Sequence, residues 1–311
     1  MIVFLVATLT FVLLQVAPGD PLTRASEITL VPQQVLEQQR RNFGLDRPVH
    51  VQYARYLANV ARGDFGYSFR EHRPAAAAIA ERIPNTLLLA AAALVITFAL
   101  GILIGALQAT RRGSAADELL SLTSLTLYSM PVFWLGVMLL LLFGVTLGWF
   151  PAGGVVDDAI YPYLSPLGRL GNRLHHLILP AVTLGAVGAA ATARYQRAAM
   201  LDVVGQDFVR TARAKGLRER AVFFRHALRN ALLPVITLFG LFFPLLLSGS
   251  VLVETVFAWP GIGKLAVDAI HGRDYAVVTA VAIIAAIMVV VGNLLADLLY
   301  RLADPRTREA Q

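Results

Sequence analysis

The 311-residue chain contains no cysteine, so neither a disulfide framework nor thiol chemistry is open to it. Lysine occurs only at Lys215 and Lys264. An arginine- and alanine-rich composition so poor in lysine points to a high-GC bacterial genome. Charged residues make up 15% of the chain, against roughly 25% in soluble domains, which excludes an ordinary soluble globule. No apolar run carries a charge at its centre, which argues against a proton relay or a voltage sensor. No G-x-x-x-x-G-K-[ST] phosphate loop is present. The nearest imitation, Gly261-Ile262-Gly263-Lys264-Leu265, lacks the first glycine and the Ser or Thr after the lysine. Ser/His/Asp and Cys/His groupings are missing, and no internal repeat is visible. The formal net charge is +7, but the basic residues are spread over loops without interleaved aromatics, so nucleic acid is not indicated as a partner.

What the chain has is apolar length. Hydrophobic residues make up 57% of it and its mean hydropathy is +0.64. Several runs approach or exceed the roughly 20 residues that cross a bilayer as a helix. The reading is an all-α integral membrane protein with six transmembrane helices. The spans are placed at Met1–Val16, Thr86–Thr110, Leu119–Phe150 (interrupted at Pro131), Leu174–Thr192, Ala231–Phe257 (with Pro234 and Pro244 inside) and Tyr275–Tyr300. The first is short and has no basic residues before it. A cleavable signal would need a basic start and a small-x-small site before Pro18, and neither is present. Either the span begins upstream of Met1, or the bilayer thins around it.

Arginine and lysine in short loops set the orientation. Arg111 and Arg112 follow the second span. A dense basic stretch from Arg194 to Arg229 follows the fourth, and Arg301, Arg306 and Arg308 follow the sixth. With six spans these regions share one side, the cytoplasm, and both termini lie there. Residues 17–85 then form an extracytoplasmic loop subdomain. That loop is also arginine-rich, but it holds seven acidic residues and is long, so the charge rule bears weakly on it. Pro18-Gly19-Asp20-Pro21 ends the first span with turn chemistry. Val35–Asn42 reads as a polar helix. Val51, Tyr53, Tyr56, Leu57 and Val60 share a helical face, and Ala75–Ile83 reads as a further amphipathic helix. Residues 86–304 form the membrane core and 305–311 a cytoplasmic tail.

The most informative stretch is the basic, amphipathic segment 207–230. Asp207–Lys215 reads as a short helix. Gly216 is placed to end it, because glycine enters the left-handed region without strain. A second helix, Glu219–Asn230, leads into the fifth span. Phe208, Val209 and Ala212 are placed to face a partner or the membrane helices, and Arg213 and Lys215 to meet acidic or carbonyl groups. The segment reads equally as a docking device or as a positive-inside loop that only fixes topology.

Ala212, Gly216 four residues later, and the run to His226-Ala227-Leu228 resemble the EAA signature of ABC importer permeases. Arg210 stands where that signature has glutamate, and Arg229 where it has proline. The strings PGDP, GLDRPVHVQYARYL, GDFGYSFR, RTARAKGL, RHALRNALLP, ETVFAWPGIGKL, RDY and LLYRLADPR look like one branch, and they follow that branch's order over nearly the whole chain. This is the B-type permease of dipeptide, oligopeptide, nickel and glutathione ABC importers.

The resemblance implies a non-enzymatic permease subunit in the bacterial inner membrane. It implies a homologous second (C-type) permease, two cytoplasmic ABC ATPase subunits and an extracytoplasmic solute-binding protein, besides membrane lipid. No cofactor is implied in this chain, since ATP and magnesium would sit on the ATPases. Phe208, Thr211, Ala212, Arg213, Ala214, Lys215, Gly216 and Leu217 would form the ATPase-coupling helix.

Gly240, Pro244, Ser248 and Glu254 are candidates for the pathway or its gate, because broken backbone at membrane depth is tolerated where it lines a cavity. Simple helix packing accounts for the same residues. Gly101, Gly105, Gly185 and Gly188 fit close helix contacts. Asp297 and Arg301 are spaced for an i,i+4 pair, and Trp259 suits a membrane–water interface. His175 and His176 are adjacent and diverge on a helix, so a shared metal is not expected. A secondary transporter, a membrane enzyme and a scaffold are the rival classes. The first should show ionisable sites at mid-membrane, and the second a polar catalytic cluster.

Overall fold

The computed structural model describes residues 1–16, 47–68, 70–232, 234–236, 238, 242 and 251–303. The chain divides into two compact units, one of Met1–Thr86 with Pro260–Val290 and the other of Leu87–Trp259 with Val291–Gln311.

In the first unit, α1 (Ile2–Val16) packs on α2 (Val49–Ala61). The helical face read at Val51–Val60 is present. Phe11 lies 5.2 Å from the Tyr53 ring and 5.4 Å from the Tyr56 ring, and the Thr8 and Tyr53 hydroxyls are 2.7 Å apart. Burial, with Tyr53 beside it, pushes the Tyr56 phenol up to about 12. A two-residue antiparallel pair, β1 (Tyr67–Ser68) and β2 (Arg73–Pro74), follows with Ser68 opposite Arg73. Its turn carries His72 at φ 51°. Sequence periodicity gives no sign of so short a hairpin.

Buried Ser68 donates to Asp274 Oδ2 at 2.5 Å, while Asp274 Oδ1 accepts from the Val277 amide at the start of α11 (Tyr275–Ala303). Arg70 donates to the Asp268 carbonyl at 2.6 Å, at the end of α10 (Ile262–His271). Ser68 and Asp274, distant in sequence, are thus joined as satisfied buried polar groups, the condition under which such groups stabilise a fold. Gly261-Ile262-Gly263-Lys264-Leu265 is the start of α10, where Lys264 reaches Asp268 at 2.6 Å.

Helix α3 runs unbroken over Ala75–Thr110. The separate helices read at Ala75–Ile83 and Thr86–Thr110 are therefore one. Proline removes one amide donor and one carbonyl partner, and the helix continues through Pro84. Beyond it, Asn85 donates to the Pro260 carbonyl at 2.9 Å, and Thr86 Oγ1 accepts the Ile262 amide at 2.8 Å.

The second unit holds α4 (Ala115–Ser129), α5 (Val132–Leu139, prolonged by a π-helical turn over Leu140–Thr146) and α6 (Pro166–Val204). Ser114 caps α4 by accepting the Asp117 amide. The break read at Pro131 is present. Met130, barred from the helical region by the following proline, is extended at φ −80°, ψ 132°, and the two helices bend by 107° there.

Helix α6 is longer at both ends than the read span of Leu174–Thr192. It starts early because Ser165 accepts the Gly168 amide and Pro166 occupies the first turn, where its missing donor costs nothing. It continues past Thr192 because nothing breaks a helix before Gly205. Three described helices are long and apolar enough to cross a membrane, namely α3, α6 and the Tyr275–Leu295 part of α11. The bent α4–α5 pair makes a fourth if it counts as one span.

The α3–α6 crossing organises this unit. A Cβ on Gly101 would stand 2.5 Å from Thr192 Cβ, and one on Gly105 2.5 Å from the Ala193 carbonyl oxygen. From the other side, a Cβ on Gly185 would meet Ile96 at 2.6 Å, and one on Gly188 would meet Thr97 Oγ1 at 2.5 Å. The four glycines named from the sequence are the contact points between two touching backbones. Replacing Gly105 with Val should abolish the folded, monodisperse protein in mild detergent. Gly171→Ala on the same helix α6, where an added Cβ meets nothing within 4 Å, should raise or preserve the unfolding temperature. Thermal unfolding of both variants followed by intrinsic fluorescence checks this.

Candidate functional site

Helix α7 spans Asp207–Ala214, with Asp207 in its first turn and Arg213 in its last, both matched to the helix dipole. Gly216 has φ +73°. Its amide donates to the Arg213 carbonyl at 2.9 Å, and the Leu217 amide reaches the Ala212 carbonyl at 3.4 Å. This pair of bonds is the Schellman cap, which satisfies carbonyls at a helix end only if the residue between enters the left-handed region. Nothing lies within 4 Å of a Cβ placed on Gly216, so the demand is for conformation and not for space.

Helix α8 follows as Glu219–Ala221, a π-helical stretch over Val222–Leu228, and Arg229–Ala231. Arg213 Nε donates to Glu219 Oε1 at 3.0 Å and ties the two helices across the turn.

One face of α7 is internal. Val209 and Ala212 are buried with Met200 and Val203 of α6, Val222, Ala227 and Ala231 of α8, and Ala109 of α3 packed beside them. The other face is free. Phe208, Thr211, Arg213, Ala214, Lys215, Gly216 and Leu217 are exposed, Phe208 at 39% and Leu217 at 42%. Ala212 therefore fastens the helix to its own chain. Phe224 on α8, stacked edge-on against Phe223 at 4.9 Å, is 63% exposed and was not singled out from the sequence. A phenylalanine pair inside a basic stretch is the signal that marks it.

Of the pathway candidates, Gly240, Pro244 and Ser248 lie outside the described residues. Glu254, on α9 (Val251–Val256), is fully buried. Its neighbours Val253, Phe257 and Trp259 join Leu89, Ala93, Leu177 and Leu184 in one apolar core. Trp259 is fully enclosed by protein and so is not set in a membrane–water belt. The chain reverses at Ala258 (φ 47°), and the Trp259 amide bonds back to the Glu254 carbonyl at 2.8 Å, turning the ring into the core. The side chains of Asp297 and Arg301 lie outside the described residues. His175 contacts the Trp149 carbonyl and His176 the Asn172 carbonyl, each at 2.9 Å, so the two rings serve different partners.

Sequence reading also missed an ionic contact beside this segment. Arg197 of α6 grips Asp117 of α4 with two bonds of 2.9 Å each. Eighty positions separate them, and no local pattern links residues so far apart.

Residues 99–309 match the family of binding-protein-dependent transport system inner membrane components, and residues 1–90 match the N-terminal part of that system's membrane component. The chain belongs to this family and is a permease component of an ABC importer.

The oligopeptide transport system permease protein AppB of Bacillus subtilis (strain 168) is 45% identical over 302 residues, covering 97% of this chain and 93% of that protein. The di/tripeptide permease DppB of Pseudomonas aeruginosa is 42% identical, covering 98% and 94%. The dipeptide permease DppB of Escherichia coli K12 is 40% identical, covering 97% and 94%. Among solved structures, the MetNI methionine ABC transporter in inward-facing form matches with a TM-score of 0.58 at 18% identity, over 72% of this chain and 95% of that one. That match concerns the fold.

The cap geometry has a direct consequence. Gly216→Ala should cost about 1–2 kcal/mol by forcing a Cβ into the left-handed region, which raises the population of the locally opened state roughly five- to thirty-fold. Hydrogen exchange of the amides of residues 207–217 in the purified protein measures it.

Proposed function

We propose that this permease forms half of the translocation pathway for di- or oligopeptides, driven by separate ATPase chains that dock on α7. The observation that carries the reading is the two-sided character of α7. It is fixed to the membrane core through Val209 and Ala212 and free on the face bearing Phe208, Arg213, Lys215 and Leu217. A capped helix with one anchored and one open face transmits force from a partner to the helices beneath it.

The full reading has six spans, both termini in the cytoplasm, and residues 17–85 outside as a small subdomain. A homologous C-type permease completes the pathway, two ATPases supply ATP and magnesium chemistry, and an extracytoplasmic binding protein delivers the solute. Closure of the ATPases on ATP drives the paired α7 helices together, and the spans turn outward-open to accept solute. Hydrolysis then resets the inward-facing state. A partner shifts such an equilibrium only by contacting the two states differently, and the exposed face of α7 supplies those contacts. Gly240, Pro244, Ser248 and Glu254 remain the candidates for the pathway and gate. The peptide assignment draws on the solutes named for the three relatives; nickel chelates and glutathione are the alternatives within the same branch.

The test is co-purification in mild detergent of the chain expressed with its neighbouring genes, followed by uptake of labelled di- and oligopeptides into proteoliposomes. Two ATPase chains, a second permease and uptake dependent on the binding protein are expected. Gly216→Trp should assemble and hydrolyse ATP but lose at least nine-tenths of uptake. Normal uptake by that variant would remove the docking role, and a lone oligomer without ATPase would remove the importer assembly.

A further inference from the structure

The cytoplasmic end of α6 holds α4 at two points. Arg197 binds Asp117 near the start of α4 with Nε on Oδ1 and Nη2 on Oδ2, both at 2.9 Å. Arg194, one turn earlier, lies 5.1 Å over the ring of Tyr128 near the end of α4. Asp117 is 4% exposed, and it also accepts the Gly113 amide at 3.1 Å. A buried carboxylate held by a two-pronged guanidinium fixes both distance and angle, which a single lysine contact does not. The α4 helix therefore follows α6 as one body.

What α6 follows is α7. Met200 and Val203, the next turns after Arg197, are the residues against which Val209 and Ala212 pack. Beyond Tyr128, α4 ends at the 107° break before Pro131. The chain thus contains a continuous mechanical line from the open face of α7, through α6 and the Arg197–Asp117 pair, to a hinge.

Beside the pair, Gln108 of α3 donates to Ser121 of α4 at 3.2 Å, while Gln196 and Thr192 of α6 face Gly105 and Gly101 of α3. Gln196 is fully buried, and neither of its amide atoms has a partner among the described residues; nor do Thr192 Oγ1 and Gln108 Oε1. In the arrangement seen, the register of α4 on α6 is set by the ion pair.

We propose that Asp117 and Arg197 are positioning residues for energy coupling, carrying displacement of α7 to the α4–α5 hinge. The pair does not touch ATP or solute. It makes the hinge respond to the ATPases. This rests on the reading of α7 as the ATPase-docking helix.

The test uses the complete importer in proteoliposomes and reads the number of solute molecules imported per ATP hydrolysed, with Gly216→Trp as reference. Asp117→Asn retains the shape of the side chain and the Gly113 bond, and Arg197→Lys retains the charge. Asp117→Asn and Arg197→Gln should assemble normally, retain ATPase activity within about threefold, and import at least tenfold less solute per ATP. Arg197→Lys should recover most of the ratio. The double variant Asp117→Asn, Arg197→Gln should be no worse than either single one, because the pair acts as a unit.

An unchanged ratio in assembled complexes overturns the proposal. So does a loss of assembly with a proportional fall in both activities, since that assigns the pair to folding alone. If Gly216→Trp uncouples and the pair variants do not, only this proposal fails. If Gly216→Trp imports normally, the docking reading fails with it.

Discussion

Everything in the second unit depends on how closely α3 and α6 approach. Lipid tails are as apolar as leucine, so apolar side chains give helices in a membrane no reason to leave lipid for each other. Association rests on van der Waals contact, which is large only where backbones nearly touch. Gly101 and Gly105 on one helix and Gly185 and Gly188 on the other permit that contact over several turns. The Thr97 hydroxyl adds a bond to the Gly185 carbonyl at 3.3 Å. With α3 seated against it, α6 becomes the central post of the unit, enclosed along most of its apolar length, while α3 keeps two-thirds of its own apolar stretch free for lipid or other chains. The remaining helices are placed by α6. Its N-terminal half carries the apolar core around Trp259, and its C-terminal half carries α4 and α7.

This arrangement separates two tasks that the basic segment 207–230 combines. Its charge fixes which side of the membrane it occupies, whatever else it does. Its shape is a different matter. The arginines there are exposed and contribute little individually to its shape; the Arg210–Asp207 contact at 3.7 Å is of this kind. What shapes the segment is uncharged. Val209 and Ala212 hold one face of α7 down, and Gly216 turns the chain at its end into α8. A loop that served topology alone would need neither a Schellman cap nor a buried apolar face.

Local features are legible in the order of residues, and features that depend on distant partners are not. Proline before a helix restricts its neighbour whatever the surroundings, so the break at Pro131 was readable. The same holds for Gly216, whose place after a short helix demands a left-handed residue, and for glycines spaced along apolar runs. The lengths of α3 and α6 were underestimated. Hydropathy marks what lies in lipid, whereas a helix extends as far as its caps allow, here to Ser165 and past Pro84. Trp259 illustrates the opposite limit. An amphipathic ring at the end of a span suits an interface, and only the turn at Ala258, packed under distant helices, decides that it points inward. The Arg197–Asp117 grip and the Ser68–Asp274 bond join residues far apart in sequence, and neither residue of a pair carries any mark of the other.

A permease of this family has no bond to make or break, and its chemistry is correspondingly sparse: no cysteine, and no charge at the centre of an apolar run. Its problem is mechanical. Solute must be admitted on one side and released on the other while the bilayer stays sealed. A packed helix bundle transmits force because its interiors do not compress, but a bundle packed equally well everywhere would not move. The distribution of contacts in this chain resolves the conflict. Where α3 crosses α6 the backbones touch and can only move together. Where α6 meets α4 the contact is made by polar ends, with Arg197 gripping Asp117 and Arg194 lying over the Tyr128 ring. Where α4 meets α5 the helix is broken outright. The contacts along this line step down from touching backbones, to a two-pronged ion pair, to an open break at Met130 and Pro131.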